Sequence, residues 1–269
     1  MSAPAVSIGL LLPDVLGTYS DAGNAVVLAR RLQWRGIPAE VVTVTADDAP
    51  PRGCDLYLLG GGEDTAQYFA ARWLARHPWL PTAMTTTAVT LGVCAGLQLL
   101  GRSMTDRDGH EHPGLGALDL TTWAAPGRAV GETLVRCRLP GVGVLTGFVN
   151  HGGATVLGAD VAPLGEVEHG HGNDPAGTAE GAVSPAPLPD DVVRARPGVV
   201  ATYLHGPVLA RNPALADHLL ARVVGHALPD LDPDRVPDLA ALRRTRVPHG
   251  DGRGTGTHRP EGTSPCPAR

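Results

Sequence analysis

The chain has 269 residues, of which 43% are hydrophobic and 18% charged, and this is enough to build the core of one large domain. All 22 basic residues are arginine. The absence of lysine excludes a Walker-type phosphate loop, a lysine Schiff base and a lysine nucleophile. A net charge of -5 argues against nucleic acid as the main partner, since that role usually needs a basic face.

Strands and helices alternate in the first hundred residues, a pattern typical of a parallel sheet with crossover helices. Strands are predicted at residues 6–12, 40–44, 55–59 and 90–93, and helices at residues 21–35, 63–76 and 95–100. Ser20 and Asp21 give a capping signal for the first helix. The third strand runs into a turn of three glycines, residues 60–62.

The second half of the chain has a different pattern. Residues 118–120, 132–139 and 142–149 predict strands of an antiparallel extension, and the Gly- and Pro-rich residues 165–197 predict mostly loop. A strand at 199–204 and a helix at 213–224, capped by Asn212, complete a domain spanning residues 1–228. Residues 229–269 form a Pro/Gly/Arg-rich extension, with one candidate helix near 238–244 and a tail that we expect to be disordered.

The cysteines indicate a reducing compartment. They are Cys54, Cys94, Cys137 and Cys266, without the paired spacing of a zinc site, so we expect unpaired thiols. The apolar residues 6–12 have no basic residues before them and end at a proline, which fits neither a signal peptide nor a membrane span. The sequence therefore predicts a cytoplasmic protein.

The segment Gly92-Val93-Cys94-Ala95-Gly96 is typical of a nucleophile elbow. A cysteine with glycines two residues away on either side, between a strand and a helix, is exposed on a strained turn. The helix that begins at Ala95 favours the thiolate, and the N–H of Ala95 can stabilise an oxyanion. The alternative is a buried structural cysteine in a glycine-rich turn.

His205 ends a late strand in Tyr203-Leu204-His205-Gly206-Pro207. The carboxyl ends of parallel strands share one edge of a sheet, so His205 could reach Cys94 and accept its proton. A structural role for this histidine remains the alternative. The glycine turn lies on the same edge, and the N–H groups of Gly61 and Gly62 are further candidates for binding an oxyanion.

Four other segments occur in a fixed order: Tyr19-Ser20-Asp21-Ala22-Gly23-Asn24, Gly147-Phe148-Val149-Asn150-His151-Gly152-Gly153, Gly170-His171-Gly172-Asn173-Asp174 and Thr202–Pro207. Together with the glycine turn and the elbow, they resemble class I glutamine amidotransferases and, among these, the GatD subunits of lipid II isoglutaminyl synthase. The resemblance covers residues 6–226. It implies a flavodoxin-like, three-layer α/β fold with a mostly parallel central sheet and an antiparallel extension.

The resemblance also implies an activity. Cys94 would be the nucleophile and His205 its base, hydrolysing L-glutamine to glutamate. Arg128 would bind glutamine, which is reasonable because a guanidinium can grip the α-carboxylate with two bonds. The ammonia would pass to a MurT-like synthetase in a heterodimer. That partner would use ATP and Mg²⁺ to activate the D-glutamate α-carboxylate of lipid II, while this chain itself needs no cofactor.

The sequence departs from most class I members at Pro207, where they have a glutamate two residues after the histidine. The acid that orients His205 is therefore not identified by sequence, and a Cys–His dyad stays open. Asn150 and His151 are candidates for shaping the glutamine pocket or for stabilising a turn. Two His-x-His pairs, His110/His112 and His169/His171, have no evident third ligand, so we expect no metal.

Two alternative functions remain at this point. One is the amidotransferase part of a cobyric-acid-synthase-like system, whose chains resemble a longer design with a synthetase domain placed first. The other is a non-catalytic scaffold that kept the fold and binds a partner. The presence of both Cys94 and His205 argues against the scaffold.

Overall fold

A computed structural model describes residues 4–185 and 197–231 of the chain. The strands are β1 (Val6–Leu11), β2 (Ala39–Val44), β3 (Leu56–Leu59), β4 (Val89–Val93), β5 (Ser103–Thr105), β6 (Glu111–Pro113), β7 (Leu120–Cys137), β8 (Val144–Leu157), β9 (Gly165–His169), β10 (Ala179–Glu180), β11 (Ala182–Ser184) and β12 (Gly198–Thr202). The helices are α1 (Gly23–Gln33), α2 (Asp64–Ala75), α3 (Leu80–Thr86), α4 (Ala95–Leu100), α5 (Val208–Arg211) and α6 (Pro213–Val224).

The central sheet has the strand order β11-β12-β4-β3-β1-β2. Strands β2, β1, β3, β4 and β12 run parallel, and β11 is antiparallel at one edge. Counting only the parallel strands, this is the 2-1-3-4-5 order of flavodoxin-like folds. The predicted α/β fold with a mostly parallel central sheet is confirmed.

Helices cover both faces of this sheet. Every residue of β3, β4 and β12 is buried, as expected for parallel strands that are enclosed between two helical layers. Helices α1, α5 and α6 pack against one another, and α2 packs against α4. The loops after β1, β3, β4 and β12 therefore meet at one edge of the sheet.

A second sheet is built around β7 and β8, which pair antiparallel along most of their length. Its order is β10-β9-β7-β5-β6, with β8 on the other side of β7. The pairing of β7 with β8 is interrupted by a bulge between Ala124 and Ala129. This sheet confirms the predicted antiparallel extension.

Two predictions for this region are wrong in detail. The single 18-residue strand β7 contains most of the strand predicted at 132–139 and begins at the last residue of the strand predicted at 118–120. Residues 165–185, predicted as mostly loop, contain β9, β10 and β11. Their Gly and Asp content is typical of turns, and the strands arise because β9 pairs with β7 and β11 with β12. The rest of the predicted loop, 186–196, lies outside the described residues.

The first helix begins at Gly23 instead of Asp21, and its N-cap position is Ala22. The second expected cap, Asn212, occupies the N-cap position of α6, but its side chain makes no capping hydrogen bond there, and its Oδ1 accepts the N–H of Thr146. The helix predicted near 238–244 and the expected disordered tail lie outside the described residues. Cys54, Cys94 and Cys137 are free thiols. Within residues 4–185 and 197–231, none of the helices is long and apolar enough to cross a membrane.

Candidate active site

Cys94 lies on a strained turn between β4 and α4. Its φ of 53° and ψ of -107° place a non-glycine residue in a region that costs free energy and must be held by its surroundings. Both flanking glycines are needed for this turn. A Cβ added to Gly96 would lie 2.5 Å from the carbonyl oxygen of Leu59, and one added to Gly92 would lie 3.0 Å from the backbone of Gly96.

His205 follows β12 and is held by the second sheet. Its N–H donates to the carbonyl of Phe148 at 2.9 Å, and the N–H of Phe148 donates back at 3.3 Å. Gly61 lies between His205 and Cys94 and is close to both side chains. A Cβ added to this glycine would lie 2.8 Å from Cε1 of His205 and 3.3 Å from Cβ of Cys94. The two predicted catalytic side chains therefore meet beside Gly61 and line one cleft.

Asp21 is the acid that sequence reasoning did not identify. Its carboxylate oxygens lie 3.1 and 3.3 Å from Nδ1 of His205, and both side chains are almost fully buried. Such a contact places the imidazole proton on Nδ1 and leaves Nε2 as an acceptor. Nε2 of His205 is buried and has no partner in the part of the chain that the structure describes. It is therefore free to accept a proton.

The Cys94 thiol is neutral at rest. Burial raises its pKa to about 12, and the nearby Asp21 carboxylate acts in the same direction. The N–H of Ala95 and the Arg128 charge lower the pKa but do not outweigh these effects. The helix start therefore acts in the expected direction, but burial outweighs it and the thiol stays protonated. The thiol needs a general base, and His205 is placed to serve.

The predicted oxyanion donors differ in availability. The N–H of Gly61 donates to Oδ2 of Asp21 at 2.9 Å, so it is already occupied. Gly62 lines the cleft, and Ala95 directly follows the nucleophile. This leaves the N–H groups of Gly62 and Ala95 as candidates.

The cleft that contains Cys94 has a volume of about 810 Å³, including its opening to solvent. Arg128, in the bulge of β7, lines it together with Tyr19 and Asn150. Nε of Arg128 donates to Oδ1 of Asn150 at 2.5 Å. Arg128 is exposed and its charge acts on the Cys94 thiol, so it is placed to bind the α-carboxylate of a free amino acid.

His151 lies in the wall of the same cleft. Burial lowers its pKa to about 4, so the ring is neutral, and Nδ1 lies 3.0 Å from the carbonyl of Gly153. That contact assigns the proton to Nδ1. Nε2 is buried and unpaired within residues 4–185 and 197–231. His151 can therefore accept a hydrogen bond from a ligand.

The histidine pairs do not form a convincing metal centre. Asp106, Asp108 and His110 offer ligand atoms within 4.8 Å of one another. However, Asp106 already accepts the N–H groups of Asp108 and His110, and it contacts Nε2 of His112 at 2.9 Å. These internal bonds account for the cluster. His169 and His171 are exposed.

Pro207 packs against the start of α1. A Cβ added to Gly23 would lie 2.6 Å from Cγ of Pro207, so the proline packs tightly on the start of α1. The position that holds a glutamate in the wider class is thus filled by a packing residue. Asp21, two residues before Gly23, supplies the carboxylate. Asp21 lies in the loop after β1, on the same edge of the sheet as Cys94. That position was the sequence signal by which the acid could have been predicted.

Comparison with known proteins identifies the family. A family model described as CobB/CobQ-like glutamine amidotransferase domain matches residues 7–213. The chain is 30% identical to the lipid II isoglutaminyl synthase (glutamine-hydrolyzing) subunit GatD of Staphylococcus aureus, over 88% of this chain and 91% of that protein. The subunit of the same name from Streptococcus pneumoniae is also 30% identical, over 80% and 79%. A cobyric acid synthase of Sphingopyxis alaskensis is 31% identical, over 68% of this chain but 35% of that protein.

Proposed function

The chain belongs to the CobB/CobQ-like glutamine amidotransferase family, and from this premise we propose that it is the glutaminase subunit of a lipid II isoglutaminyl synthase. The buried Asp21–His205 pair beside Cys94 carries the catalytic part of this proposal. The GatD subunits support the assignment because each chain matches most of the other's length. The cobyric acid synthase of Sphingopyxis alaskensis is matched over 35% of its length.

The reaction begins with proton transfer from Cys94 to Nε2 of His205. Sγ then bonds to the side-chain amide carbon of L-glutamine, and the carbonyl electron pair moves to oxygen. The N–H groups of Ala95 and Gly62 bind that oxyanion. Asp21 stabilises the imidazolium that forms and keeps its orientation.

Collapse of the tetrahedral intermediate breaks the carbon–nitrogen bond. The imidazolium gives its proton to the leaving nitrogen, which departs as ammonia, and a thioester remains on Cys94. Water then attacks the thioester while His205 accepts its proton. The same proton returns to sulfur as the thiol leaves, and glutamate is released.

The ammonia is used by a second chain. We propose a MurT-like synthetase that, with ATP and Mg²⁺, activates the D-glutamate α-carboxylate of lipid II and forms D-isoglutamine in the cytoplasm. Both GatD relatives are named as subunits of a synthase, which supports a partner. The absence of lysine fits a chain that leaves phosphate chemistry to that partner.

The test uses the purified complex with its synthetase. Cys94→Ala should reduce glutamine-dependent amidation of lipid II to background, because the thioester cannot form. Amidation with added ammonium salt should remain, since that reaction bypasses the thiol. Release of glutamate and formation of amidated lipid II are both measured by mass spectrometry.

Cys137→Ala is the matched control, because Cys137 is another partly buried free thiol but does not line the cleft. Its activity should equal that of the wild type. Glutamine-dependent amidation by Cys94→Ala would overturn the mechanism. Failure of a glutamine-analogue electrophile to label Cys94 in the wild-type complex would favour a non-catalytic scaffold.

A further inference from the structure

Three side chains form a hydrogen-bonded row on the solvent side of the cleft. Nε of Arg128 donates to Oδ1 of Asn150, and Nδ2 of Asn150 donates to the hydroxyl of Tyr19. The three residues come from the β7 bulge, from β8 and from the loop after β1, and all line the cleft that contains Cys94. The row therefore joins both sheets across the site.

Asn150 holds Arg128 through Nε. This bond leaves both terminal nitrogens, and these two can bind a carboxylate side by side. An arginine side chain on an exposed bulge otherwise rotates freely, and the loss of this rotational freedom on binding a ligand costs free energy. A guanidinium that is held in advance binds its ligand more tightly.

Tyr19 links this arrangement to the catalytic base. Its ring centroid lies 4.7 Å from that of His205, and its hydroxyl accepts from Asn150. Tyr19 and Ser20 have φ values of 58° and 61°, an unfavourable conformation that tertiary contacts must hold. The ring and the hydroxyl thus make two separate contacts, one with the base and one with the row.

We propose that Tyr19 and Asn150 are positioning residues that orient Arg128 for the α-carboxylate of glutamine, and that the Tyr19 ring also covers His205. This inference rests on the proposed function, in which Arg128 binds glutamine. The hydroxyl of Tyr19 acts on substrate affinity through Asn150. The ring acts on turnover, because it excludes water from the imidazole of His205.

The binding experiment uses the complex with Cys94→Ala, which cannot turn over, and titrates L-glutamine by calorimetry. Adding Asn150→Ala should raise Kd about 10-fold or more, the usual size of a lost bond to a charged group. Tyr19→Phe should raise it about 3-fold to 10-fold, since it acts one bond further away. Tyr57→Phe is the control, because its hydroxyl binds the carbonyl of Pro51 and does not line the cleft.

Steady-state glutaminase rates of the complex with Cys94 intact distinguish the contact of the Tyr19 ring with His205 from the contact of its hydroxyl with Asn150. Tyr19→Phe should raise KM and leave kcat within about twofold, whereas Tyr19→Ala should also lower kcat by about 10-fold. With glutamine α-amide, which lacks the carboxylate, the effect of Tyr19→Phe on kcat/KM should disappear.

Unchanged Kd in both Tyr19→Phe and Asn150→Ala would overturn the inference, as would an equal loss with glutamine and its α-amide. Failure of the proposed function gives a different result. In that case the wild-type complex would release no glutamate. The calorimetric Kd values would still show whether Tyr19 and Asn150 orient Arg128.

Discussion

At the scale of single residues, Asp21 serves two functions. It accepts the Gly61 N–H at 2.9 Å and contacts Nδ1 of His205 at 3.1 Å. One carboxylate therefore fixes both the tautomer of the base and the glycine turn that lies against Cys94. Because Asp21 and His205 are both buried, no water can replace the contact if the carboxylate is removed.

Asp21→Asn is expected to lower kcat for glutamine hydrolysis by up to about 10,000-fold, the loss seen when the acid of a Ser-His-Asp triad becomes an amide. The amide can donate to Nδ1, which moves the imidazole proton to Nε2 and removes the acceptor for the thiol. Release of glutamate by the purified complex measures the loss.

Asp47→Asn, at an exposed position, is the control for the change of charge and should retain full activity. Ammonium-dependent amidation should also persist in Asp21→Asn. A variant with near-normal kcat would show that Cys94 and His205 act as a dyad.

Sequence patterns predicted Cys94 because its signal is local, two glycines between a strand and a helix. They misassigned Asp21 for the same reason. An aspartate just before an amphipathic segment is the usual helix cap, while its actual partner lies 184 residues further along the chain. The role of Tyr19 depends in the same way on contacts that only folding creates.

At the scale of elements, the elbow depends on close approach between α4 and β3. The Cα of Gly96 faces the carbonyl of Leu59, and no side chain fits between them. Patterns of apolar residues predicted these strands and helices well, since burial on both faces gives a continuous signal. The same reasoning failed for β9 to β11, which are two to five residues long and separated by glycine-rich turns, and which become strands through pairing with partners distant in sequence.

Gly96→Ala is expected to destabilise the fold by about 1–3 kcal/mol and to displace Cys94, because the new methyl group meets backbone that no rotamer change can clear. Urea unfolding measures the first effect. The rate of Cys94 labelling by a glutamine-analogue electrophile measures the second, and it should fall.

Gly53→Ala is the matched control, since a Cβ at Gly53 meets nothing within 4 Å. Its stability and labelling rate should stay at the wild-type level. Normal labelling of Cys94 in Gly96→Ala would mean that the elbow does not need this contact.

At the scale of the whole molecule, a buried glutamate joins the two sheets. Glu180 of β10 is fully buried, and its Oε1 accepts the hydroxyl of Thr202 at 2.7 Å and the N–H of Tyr203 at 2.6 Å. Both donors belong to the segment that leads from β12 to His205. The link therefore holds the second sheet against the strand that carries the base.

Glu180 should make stability depend on pH. Burial raises its pKa from 4.5 to about 7, so the folded state binds a proton more tightly than the unfolded state does. Unfolding then releases that proton, and the free energy of unfolding falls as pH rises from about 4.5 to 7, by an amount on the order of 3 kcal/mol. His151 and His218 act oppositely in this range, because burial lowers their pKa values to about 4.

Comparison of the wild type with Glu180→Gln separates the contribution of Glu180 to the pH dependence of stability from the contributions of His151 and His218. Glutamine keeps the Oε1 acceptor, but its amide nitrogen replaces Oε2, which has no partner among the described residues, so a constant cost is expected at every pH. The stability of Glu180→Gln relative to the wild type should therefore increase between pH 5 and pH 7 and level off by about pH 8. Urea unfolding at several pH values measures this difference.

Glu111→Gln, at an exposed position, is the control and should show no such trend. A pH-independent difference for Glu180→Gln would mean that the Glu180 carboxyl is ionised at little cost in the folded protein.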